Sequence, residues 1–435
     1  MEEIEIYENY FRKEYQTIDG IIEYFYQNGK TMAVWGAGLR GRAFLNVFDA
    51  GNQRISYVFD KDVKKHGKKL ENGHEITDFI NHDVDIVIAA NNVLEYRILH
   101  TLRTNGKSSV VLNIDNIILG GLKKEEIIRP PKRFLQKVRD VRIGAVVVAY
   151  HPDSAVVENI KSYAKDLEIV YVHDNSEEKN EEFEKKINQI ENVIYNFSGE
   201  NQGLCVPFNK YYKLAIKKGL DWLITFDQDS AAAEGMIPAM QSFAESSECL
   251  DTIGIVSPTI NELDYSSISQ DSLFTYYDLI IQSGAMHRLS MMEKVGDYNE
   301  DLFIDAVDWE YCVRCRMEGY RIVRLNQAIL LHNQSDNAVK EKFVGGKMIY
   351  IDKFSPARYY YRYRNALYCY RKYKEIDPVY GLVCLNTLKK LKINLECDTD
   401  CEIKKKAIEA AIEDFENNNM GKLNRQIGNE ENKDG

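Results

Sequence analysis

The stretch Trp222-Leu-Ile-Thr-Phe-Asp227-Gln-Asp229-Ser230 decides the fold predicted for this chain. An apolar run ends here in two carboxylates one residue apart, which predicts a strand with acidic residues at its carboxyl end. Side chains alternate across a strand, so Asp227 and Asp229 are expected to share a face and to hold a hard divalent cation together with phosphate oxygens. A solvated loop is the competing interpretation, because Asp-x-Asp is common by chance.

The segments that precede this run predict a parallel sheet whose strand ends carry polar residues. A strand over Ile143–Ala149 is followed by Tyr150, and a strand over 168–173 is followed by Asp174 and Asn175. Ligands bind at the carboxyl ends of parallel strands, so we expect these side chains to face a nucleotide. The same residue types are common turn formers, so an ordinary structural role at each position stays open.

The first 125 residues show a similar alternation of apolar runs and amphipathic stretches. Strands are predicted over residues 31–35, 55–59, 85–90 and 109–114. Apolar strands that alternate with helical segments are typical of βαβ units, so a small parallel sheet is expected here too. The chain is therefore predicted to contain two α/β domains.

A charged segment with Pro130 and Pro131 separates the two predicted domains and indicates a linker. After Pro378 the pattern becomes helical and lysine-rich, and a polar tail from Gly421 is expected to fray and to carry no chemistry. The predicted boundaries are 1–125 for a Rossmann-like domain, 126–140 for the linker, 141–375 for the second α/β domain and 376–435 for the helical extension.

A glycine motif follows the first predicted strand, with Gly36, Gly38 and Gly41 at dinucleotide-binding spacing. Asp60 ends the next strand, where an acidic residue can bind a ribose. The same glycines also permit tight packing of a helix on a strand in domains that bind nothing, and no catalytic tyrosine and lysine pair stands nearby. We do not expect NAD here, although nucleotide binding by these four residues stays open.

Composition restricts the class of protein. The chain has 435 residues, of which 44% are hydrophobic and 28% charged, as in folded globular proteins. A net charge of -11 argues against nucleic acid as a partner. The start is acidic and aromatic, unlike a signal peptide, and no apolar run is long enough for a membrane span, so a cytoplasmic location is expected. The eight cysteines are interpreted as reduced thiols.

From Arg142 to Lys374 the sequence resembles the inverting GT-A glycosyltransferases of family two, and in particular their rhamnosyltransferase-like branch. The motifs occur in the order expected for that family, which makes the resemblance specific. The matching segments are Val146-Val-Val-Ala-Tyr150, Val172-His-Asp174-Asn175-Ser176, Asn201-Gln-Gly203 with Asn209, Phe226-Asp227-Gln-Asp229-Ser230, Gln282-Ser-Gly284-Ala, Phe303-Ile-Asp305-Ala-Val-Asp308-Trp-Glu310 and His332.

This resemblance implies an inverting transfer from a nucleoside diphosphate sugar, with Asp308 as the base. It implies Mg²⁺ or Mn²⁺ on Asp227 and Asp229, with His332 as a further ligand. One departure is that Lys210 follows Asn209, where the family often has a glycine nearby. The residues implied in donor binding are Tyr150, Asp174, Asn175, Asn201, Gly203, Asn209, Asp227 and Gly284.

The segment Ser355-Pro-Ala-Arg358-Tyr-Tyr-Tyr-Arg362-Tyr-Arg364-Asn365 resembles the family's arginine and tyrosine motif. Arginine binds pyrophosphate in bidentate fashion, so Arg358, Arg362 and Arg364 are expected to contact an acceptor or a pyrophosphate group, with Glu310 as a further acceptor residue. Glu310 stands one helical turn before Arg314, so an ion pair within the helix is the alternative for it. An interfacial helix at a membrane surface is the alternative for this segment, and peripheral contact with the inner face of the membrane stays open.

The amino-terminal segment with Gly36 and Phe59-Asp60-Lys-Asp resembles the Rossmann-like carboxy-terminal domain of sugar C-methyltransferases. Together the resemblances imply transfer of a sugar to a glycan or lipid-linked glycan of the bacterial surface. L-rhamnose from dTDP-L-rhamnose is the favoured donor, with galactofuranose or another hexose as the competitor. An NAD-dependent oxidoreductase or epimerase and an inactive scaffold of polysaccharide assembly are the alternatives, and self-association stays open.

Overall fold

The computed structural model describes residues 2–90, 98, 101–102, 104–121, 137–246, 248–260, 273–332, 340–344, 347–351, 354–396, 401–425 and 427. These residues form two compact units. The first contains residues 1–134 with 262–278 and 323–327, and the second contains 135–261, 279–322 and 328–435. Most of the predicted linker, including Pro130 and Pro131, lies outside the described residues, so the predicted domain boundaries stay a prediction.

The first unit is a parallel sheet with helices on it. Its helices are α1 (Glu3–Arg12), α2 (Tyr15–Gln27), α3 (Leu39–Phe48) and α4 (Ile114–Gly120). Its strands are β1 (Met32–Trp35), β2 (Tyr57–Phe59), β3 (Ile76–Thr77), β4 (Ile86–Ala89) and β5 (Val110–Asn113), in the spatial order β3-β2-β1-β4-β5. The four strands predicted from the sequence are all present, and the apolar runs of β1 and β4 are buried throughout.

The second unit begins with β6 (Ile143–Ala149) and is built on a larger mixed sheet. The remaining strands up to the hairpin are β7 (Ile169–Asp174), β8 (Val193–Phe197), β9 (Trp222–Asp227), β10 (Ser230–Ala232), β11 (Ile253–Ile260), β12 (Phe274–Tyr277), β13 (Met286–Arg288) and β14 (Arg321–His332). The spatial order is β10-β14-β11-β13-β9-β6-β7-β8, and β12 pairs with β14. Residues of β12 and the central part of β14 fall in the first unit.

The helices of the second unit cover this sheet. They are α5 (Ser154–Ala164), α6 (Glu181–Ile187), α7 (Cys205–Lys218), α8 (Met236–Glu245), α9 (Met292–Val295) and α10 (Val307–Met317). The ring of Tyr163 on α5 stacks on that of Phe226 on β9, with the two centroids 4.0 Å apart. This stacking fixes the strand whose end carries the two carboxylates.

The register of the central strands brings the predicted site residues to one edge of the sheet. Strands β6, β7 and β9 run parallel, with Val148 opposite Asp227 and Ala149 opposite Asp174. Every residue of β6 is buried, as its unbroken apolar run predicts. The carboxyl ends of the three strands therefore lie side by side, which is where parallel sheets bind ligands.

The carboxyl-terminal part is helical, as predicted. A hairpin of β15 (Lys340–Val344) and β16 (Lys347–Ile351) leads into α11 (Pro356–Tyr373), α12 (Pro378–Glu396) and α13 (Cys401–Glu416). Pro356 opens α11 directly after Ser355, whose hydroxyl caps the helix. Within the described ranges, no helix combines the length and the apolar character needed to cross a bilayer.

Candidate active site

A cavity of about 890 Å³ opens at the carboxyl edge of β6, β7 and β9. Tyr150 and Asn175 line it from the ends of β6 and β7, and Asp227 lines it from the end of β9. The opposite wall is the segment 303–309, which leads into α10, together with residues of α11. The cavity is therefore bounded by several of the motifs that the sequence singled out.

Three potential metal ligands meet on one side of this cavity. Asp227 ends β9, Asp229 follows in the turn, and His332 ends β14. The antiparallel pairing of β10 with β14 places Ser230 opposite His332, and the Ser230 hydroxyl lies 2.7 Å from Nδ1 of the imidazole. One ligand atom from each of the three residues lies within 4.8 Å of the others.

The electrostatics of this cluster suit a divalent cation. Burial, and then the negative charge of Asp229, raise the pKa of Asp227 to about 7 against the opposing effects of Arg358 and the amide of Gln282. Two carboxylates held together away from water repel each other, and a cation between them removes that penalty. Two carboxylates and an imidazole also form a donor set that accommodates Mn²⁺ or Mg²⁺.

Asp308 lies in the first turn of α10 and lines the same cavity. One of its carboxylate oxygens accepts a hydrogen bond from the backbone N–H of Trp309 at 2.9 Å, which fixes the side chain. Burial raises its pKa to about 7, with smaller contributions from Asp305 and Asp227. A carboxylate whose pKa is near neutrality is suited to accept a proton from a hydroxyl group.

Arg358 and Arg362 of α11 line the cavity next to Asp308. Both guanidinium groups approach the same oxygen of Asp305, at 2.9 Å and 3.5 Å. Two positive charges share one negative charge, so the group as a whole is cationic. Such a pair can bind the oxygens of a phosphate or pyrophosphate.

Comparison with known proteins now identifies the family. Residues 145–289 match the family described as Glycosyl transferase family 2, and residues 1–81 match the C-methyltransferase C-terminal domain. The dTDP-rhamnosyl transferase RfbF of Shigella flexneri is 30% identical over 255 residues, which are 53% of this chain and 80% of that protein. This chain belongs to glycosyltransferase family 2. It is an enzyme, and the predicted amino-terminal resemblance is confirmed.

Solved structures of other glycosyltransferases are similar at a low level. TarS residues 1–349 of S. aureus in complex with UDP-GlcNAc is 12% identical, covering 63% of this chain and 80% of that chain, with a TM-score of 0.43. The mannosyltransferase PcManGT of Pyrobaculum calidifontis in complex with GDP-Man and Mn²⁺ is 14% identical, covering 62% and 79%, with a TM-score of 0.42. Likeness at this level says nothing about chemistry. The sheets and helices described above and the two family matches confirm the predicted fold class, a Rossmann-like unit followed by a GT-A domain and helices.

Part of the donor site predicted for this glycosyltransferase lines the cavity. Tyr150, Asn175, Asn201 and Gly203 do so together with Asp227. The amide of Asn175 donates to the carbonyl of Gly203 at 2.8 Å, so the end of β7 holds the loop that contains Asn201. These residues keep their predicted role in donor binding as a proposal.

Gly203 is required for two structural reasons. Its φ of 72° lies in the left-handed region, and a Cβ at this position would be 2.6 Å from the carbonyl oxygen of Phe303. The next backbone N–H, that of Leu204, donates to the same oxygen at 2.9 Å. Glycine thus allows the loop that contains Asn201 and Gly203 to lie directly on the segment that leads to Asp308.

Three other predicted donor residues are not among those that line the cavity, and their role in donor binding stays a prediction. The carboxylate of Asp174 is buried and accepts hydrogen bonds from Ser176 and from the Tyr195 hydroxyl, the latter at 2.8 Å. Asn209 is buried and bonds to the backbone of Tyr298 on both sides of its amide. Gly284 turns the chain with a φ of 76°, where a Cβ would be 2.7 Å from the Pro258 ring. In this structure Asn209 and Gly284 hold backbone in place, and Asp174 bonds to its own turn and to β8.

Two predicted acceptor residues are also structural. Glu310 is completely buried and pairs with Arg314 on the next turn at 2.9 Å and with Lys372 at 3.3 Å, while the Tyr373 hydroxyl donates to it. Arg364 is completely buried as well and donates to backbone carbonyls rather than facing the cavity. The family resemblance suggests ligand contacts for both, but their burial leaves no access for a substrate, and Glu310 makes the ion pair with Arg314 that is its alternative interpretation.

Sequence reasoning missed the contribution of Gln228, which stands between the two aspartates. Its amide accepts from the Tyr150 backbone N–H at 2.8 Å and donates to the Tyr150 carbonyl at 3.1 Å, so it joins the ends of β6 and β9. The backbone carbonyl of Gln228 accepts a hydrogen bond from the side-chain amide of Asn159 at 2.8 Å. A polar residue between two site carboxylates was the available signal.

The carboxyl-terminal tail was also misjudged. Lys422 and Leu423 line the cavity, and the Lys422 amine donates to the Asn201 carbonyl at 2.9 Å. The Leu423 N–H donates to the Tyr361 hydroxyl at 2.7 Å. The tail from Gly421 therefore does not simply fray, since its described part is a wall of the site.

The glycine motif of the first unit is internally satisfied. A Cβ on Gly41 would lie 1.9 Å from the Gly36 carbonyl oxygen, so this glycine is needed for close packing of α3 on the loop that contains Gly36. Gly38 is the N-cap residue of the same helix. Asp60 accepts from the Ala37 N–H at 2.9 Å and from the Lys65 amine at 2.8 Å. The Asp62 N–H donates to the other oxygen of Asp60 at 2.9 Å, so both carboxylate oxygens have partners within the unit, which favours a structural role for the motif.

Proposed function

We propose that the protein is an inverting glycosyltransferase that transfers L-rhamnose from dTDP-L-rhamnose to a bacterial cell-surface polysaccharide. The observation that carries the proposal is that Asp308 and the cluster of Asp227, Asp229 and His332 line one cavity. The name of the Shigella flexneri relative supports rhamnose as the sugar, and galactofuranose or another hexose is the competitor.

The donor is proposed to lie across the carboxyl ends of β6, β7 and β9, with its nucleobase near Tyr150 and Asn175. Asp227, Asp229 and His332 would hold Mn²⁺ or Mg²⁺. Such an ion, when bound, neutralises the charge that develops on the leaving diphosphate, so no acidic side chain is needed to protonate it. The loop at Asn201 and Gly203 closes the same end of the cavity.

Asp308 is proposed to act as the base. The acceptor hydroxyl oxygen attacks the anomeric carbon as the bond from that carbon to the diphosphate oxygen breaks, and the electron pair of that bond leaves with the diphosphate. The hydroxyl proton passes to the Asp308 carboxylate, whose pKa of about 7 makes it a competent acceptor at neutral pH. A single displacement of this kind inverts the configuration at the anomeric carbon.

The acceptor is proposed to be a glycan or a lipid-linked glycan that enters beside α11. Trp309 offers an aromatic face in the cavity, and the pair Arg358 and Arg362 offers positive charge for a pyrophosphate group. Peripheral membrane contact gains no support from the tyrosines of α11, because Tyr359, Tyr360 and their neighbours are buried in the protein.

We further propose the domain boundaries given by the sequence, with a docking, dimerising or nucleotide-sensing role for the first domain.

The experiment is release of free nucleoside diphosphate from a panel of sugar nucleotides, with Mn²⁺ or Mg²⁺ and a lipid-linked acceptor. Wild-type protein should turn over dTDP-L-rhamnose in preference to the other donors. Asp229→Ala should abolish turnover, whereas Asp221→Ala, which removes an exposed carboxylate at the other end of β9, should leave it intact. Preferential turnover of a different sugar nucleotide would refute rhamnose as the donor sugar. Equal turnover in the two variants would refute the assigned cation site.

A further inference from the structure

The segment just before Asp308 has an unfavourable backbone conformation. Phe303, Asp305 and Ala306 all have φ between 62° and 64°, in the left-handed region that side chains other than glycine avoid. Such residues persist only where surrounding contacts hold them, and they concentrate at functional sites. The contacts that hold residues 301–306 therefore determine where the Asp308 carboxylate points.

Asn365 of α11 supplies the most direct of these contacts. Its amide Nδ2 lies 2.9 Å from the carbonyl oxygen of Leu302, 2.7 Å from that of Ile304 and 2.9 Å from that of Asp305. The side chain is completely buried. One amide nitrogen thus contacts three carbonyls of the strained segment.

Arg364 fixes the orientation of that amide. Its Nε and Nη2 atoms each lie 3.1 Å from Oδ1 of Asn365, so the oxygen side of the amide faces the guanidinium and the nitrogen side must face the segment. Arg364 also donates to the carbonyl of Asp301 at 3.1 Å. This explains why a buried arginine occupies a position where the sequence suggested a ligand contact.

The carboxyl-terminal tail completes the support. The Gly421 N–H donates to the Asp301 carbonyl at 2.7 Å, and the Gly421 carbonyl accepts from Arg364 at 2.8 Å. Residue Ile427, further along, is buried against α11 and α13. The tail therefore holds the first residue of the segment while Asn365 holds the rest.

We infer that Asn365, oriented by Arg364, is a positioning residue that holds residues 301–306 in the strained conformation and thereby aims Asp308 at the acceptor hydroxyl. The inference rests on the proposed function in that Asp308 is taken to be the base. Asn365 itself lies outside the cavity lining, so it acts on the reaction only through the segment.

Two substitutions test the inference. Asn365→Asp keeps the volume and the contact with Arg364 but turns an oxygen towards three carbonyl oxygens, and Asn365→Ala removes the donor altogether. The kcat for nucleoside diphosphate release should fall about 100-fold in both, because a displacement of about 1 Å at a reacting group has that effect. The affinity for dTDP with Mn²⁺, measured by calorimetry, should change by less than about threefold, since the metal cluster is not touched.

Asn394→Ala is the matched control, because Asn394 is another completely buried asparagine, on α12 and outside the cavity lining. Neither polar atom of its side chain has a hydrogen-bond partner among the described residues, so the substitution should leave kcat unchanged. Amide hydrogen exchange gives a readout that needs no activity: residues 301–306 should exchange at least about tenfold faster in Asn365→Ala and unchanged in the control. If Asn365→Asp does not fold, the alanine variant carries both measurements.

Unchanged kcat in a folded Asn365 variant, or unchanged exchange of residues 301–306, would overturn the inference. An equal loss of dTDP affinity and kcat would also overturn it, since that pattern indicates general damage to the fold. Absence of donor turnover in the wild-type protein would instead refute the proposed function, and the exchange measurement would still decide whether Asn365 holds the segment.

Discussion

Replacement of Asp308 by asparagine should make the protein more stable and much less active. Asparagine has the same shape, and its side-chain oxygen can still accept the hydrogen bond from the Trp309 N–H. It cannot take a proton from the acceptor. General-base catalysis contributes about 10²- to 10⁴-fold to a rate, so kcat should fall by roughly that factor.

The gain in stability follows from the pKa of Asp308, which burial raises from 3.8 to about 7. The fold therefore disfavours the ionised carboxylate: the penalty is absent below pH 4, grows between pH 4 and 7, and is complete above pH 7. Three pKa units correspond to about 4 kcal/mol, and partial exposure to solvent reduces this to about 2 kcal/mol. Asp308→Asn should raise the free energy of unfolding at pH 8 by that amount and leave it unchanged at pH 4.

The assay is urea denaturation of metal-free protein at both pH values, together with release of nucleoside diphosphate at pH 8. Asp301→Asn is the control, because Asp301 is an exposed carboxylate of the same segment, and it should change neither property. An active Asp308→Asn variant would refute the role of the base. An inactive variant with unaltered stability at pH 8 would refute the electrostatic account of its pKa.

Four further predictions address the same site. In the wild-type protein kcat/KM should rise as pH increases towards 7, because Asp308 must lose its proton to act as the base. Bound metal should move this rise to lower pH. A value of kcat/KM that is constant from pH 5 to 8 would contradict the prediction. Mn²⁺ should raise the melting temperature more at pH 8 than at pH 5.5, because protons compete with the metal for the Asp227 carboxylate. His332→Ala should weaken Mn²⁺ binding, measured by calorimetry, about 10- to 100-fold. Gly203→Ala should destabilise the protein by about 1–3 kcal/mol and lower kcat, since the added Cβ meets the Phe303 carbonyl; a fully active variant of unchanged melting temperature would refute that contact.

Local patterns were sufficient to predict the strands and the end of β9. The strand Ile143–Ala149 was predicted with the bounds that the structure has, because a run of buried apolar residues leaves little choice. Asp227 and Asp229 lie next to each other for the same local reason. His332 is different: it reaches them only through the antiparallel pairing of β10 with β14, so only the family resemblance indicated it.

Tertiary burial decided the cases that sequence reasoning judged wrongly. The family resemblance assigns ligand contacts to Glu310 and Arg364, but both are buried and bonded within the protein, Glu310 in the ion pair with Arg314 that the sequence leaves open. The tail from Gly421 has a polar composition that predicts fraying, yet backbone hydrogen bonds to Asp301 hold its start. Residue type and local composition carry no information about such distant partners.

The most direct test of the central claim is turnover of dTDP-L-rhamnose by the wild-type protein as Mn²⁺ is removed with a chelator and then restored. The account predicts that dTDP release stops when the metal is removed and returns when Mn²⁺ is added in excess of the chelator. Turnover that continues at full rate in excess chelator would contradict a metal-bound diphosphate at Asp227, Asp229 and His332.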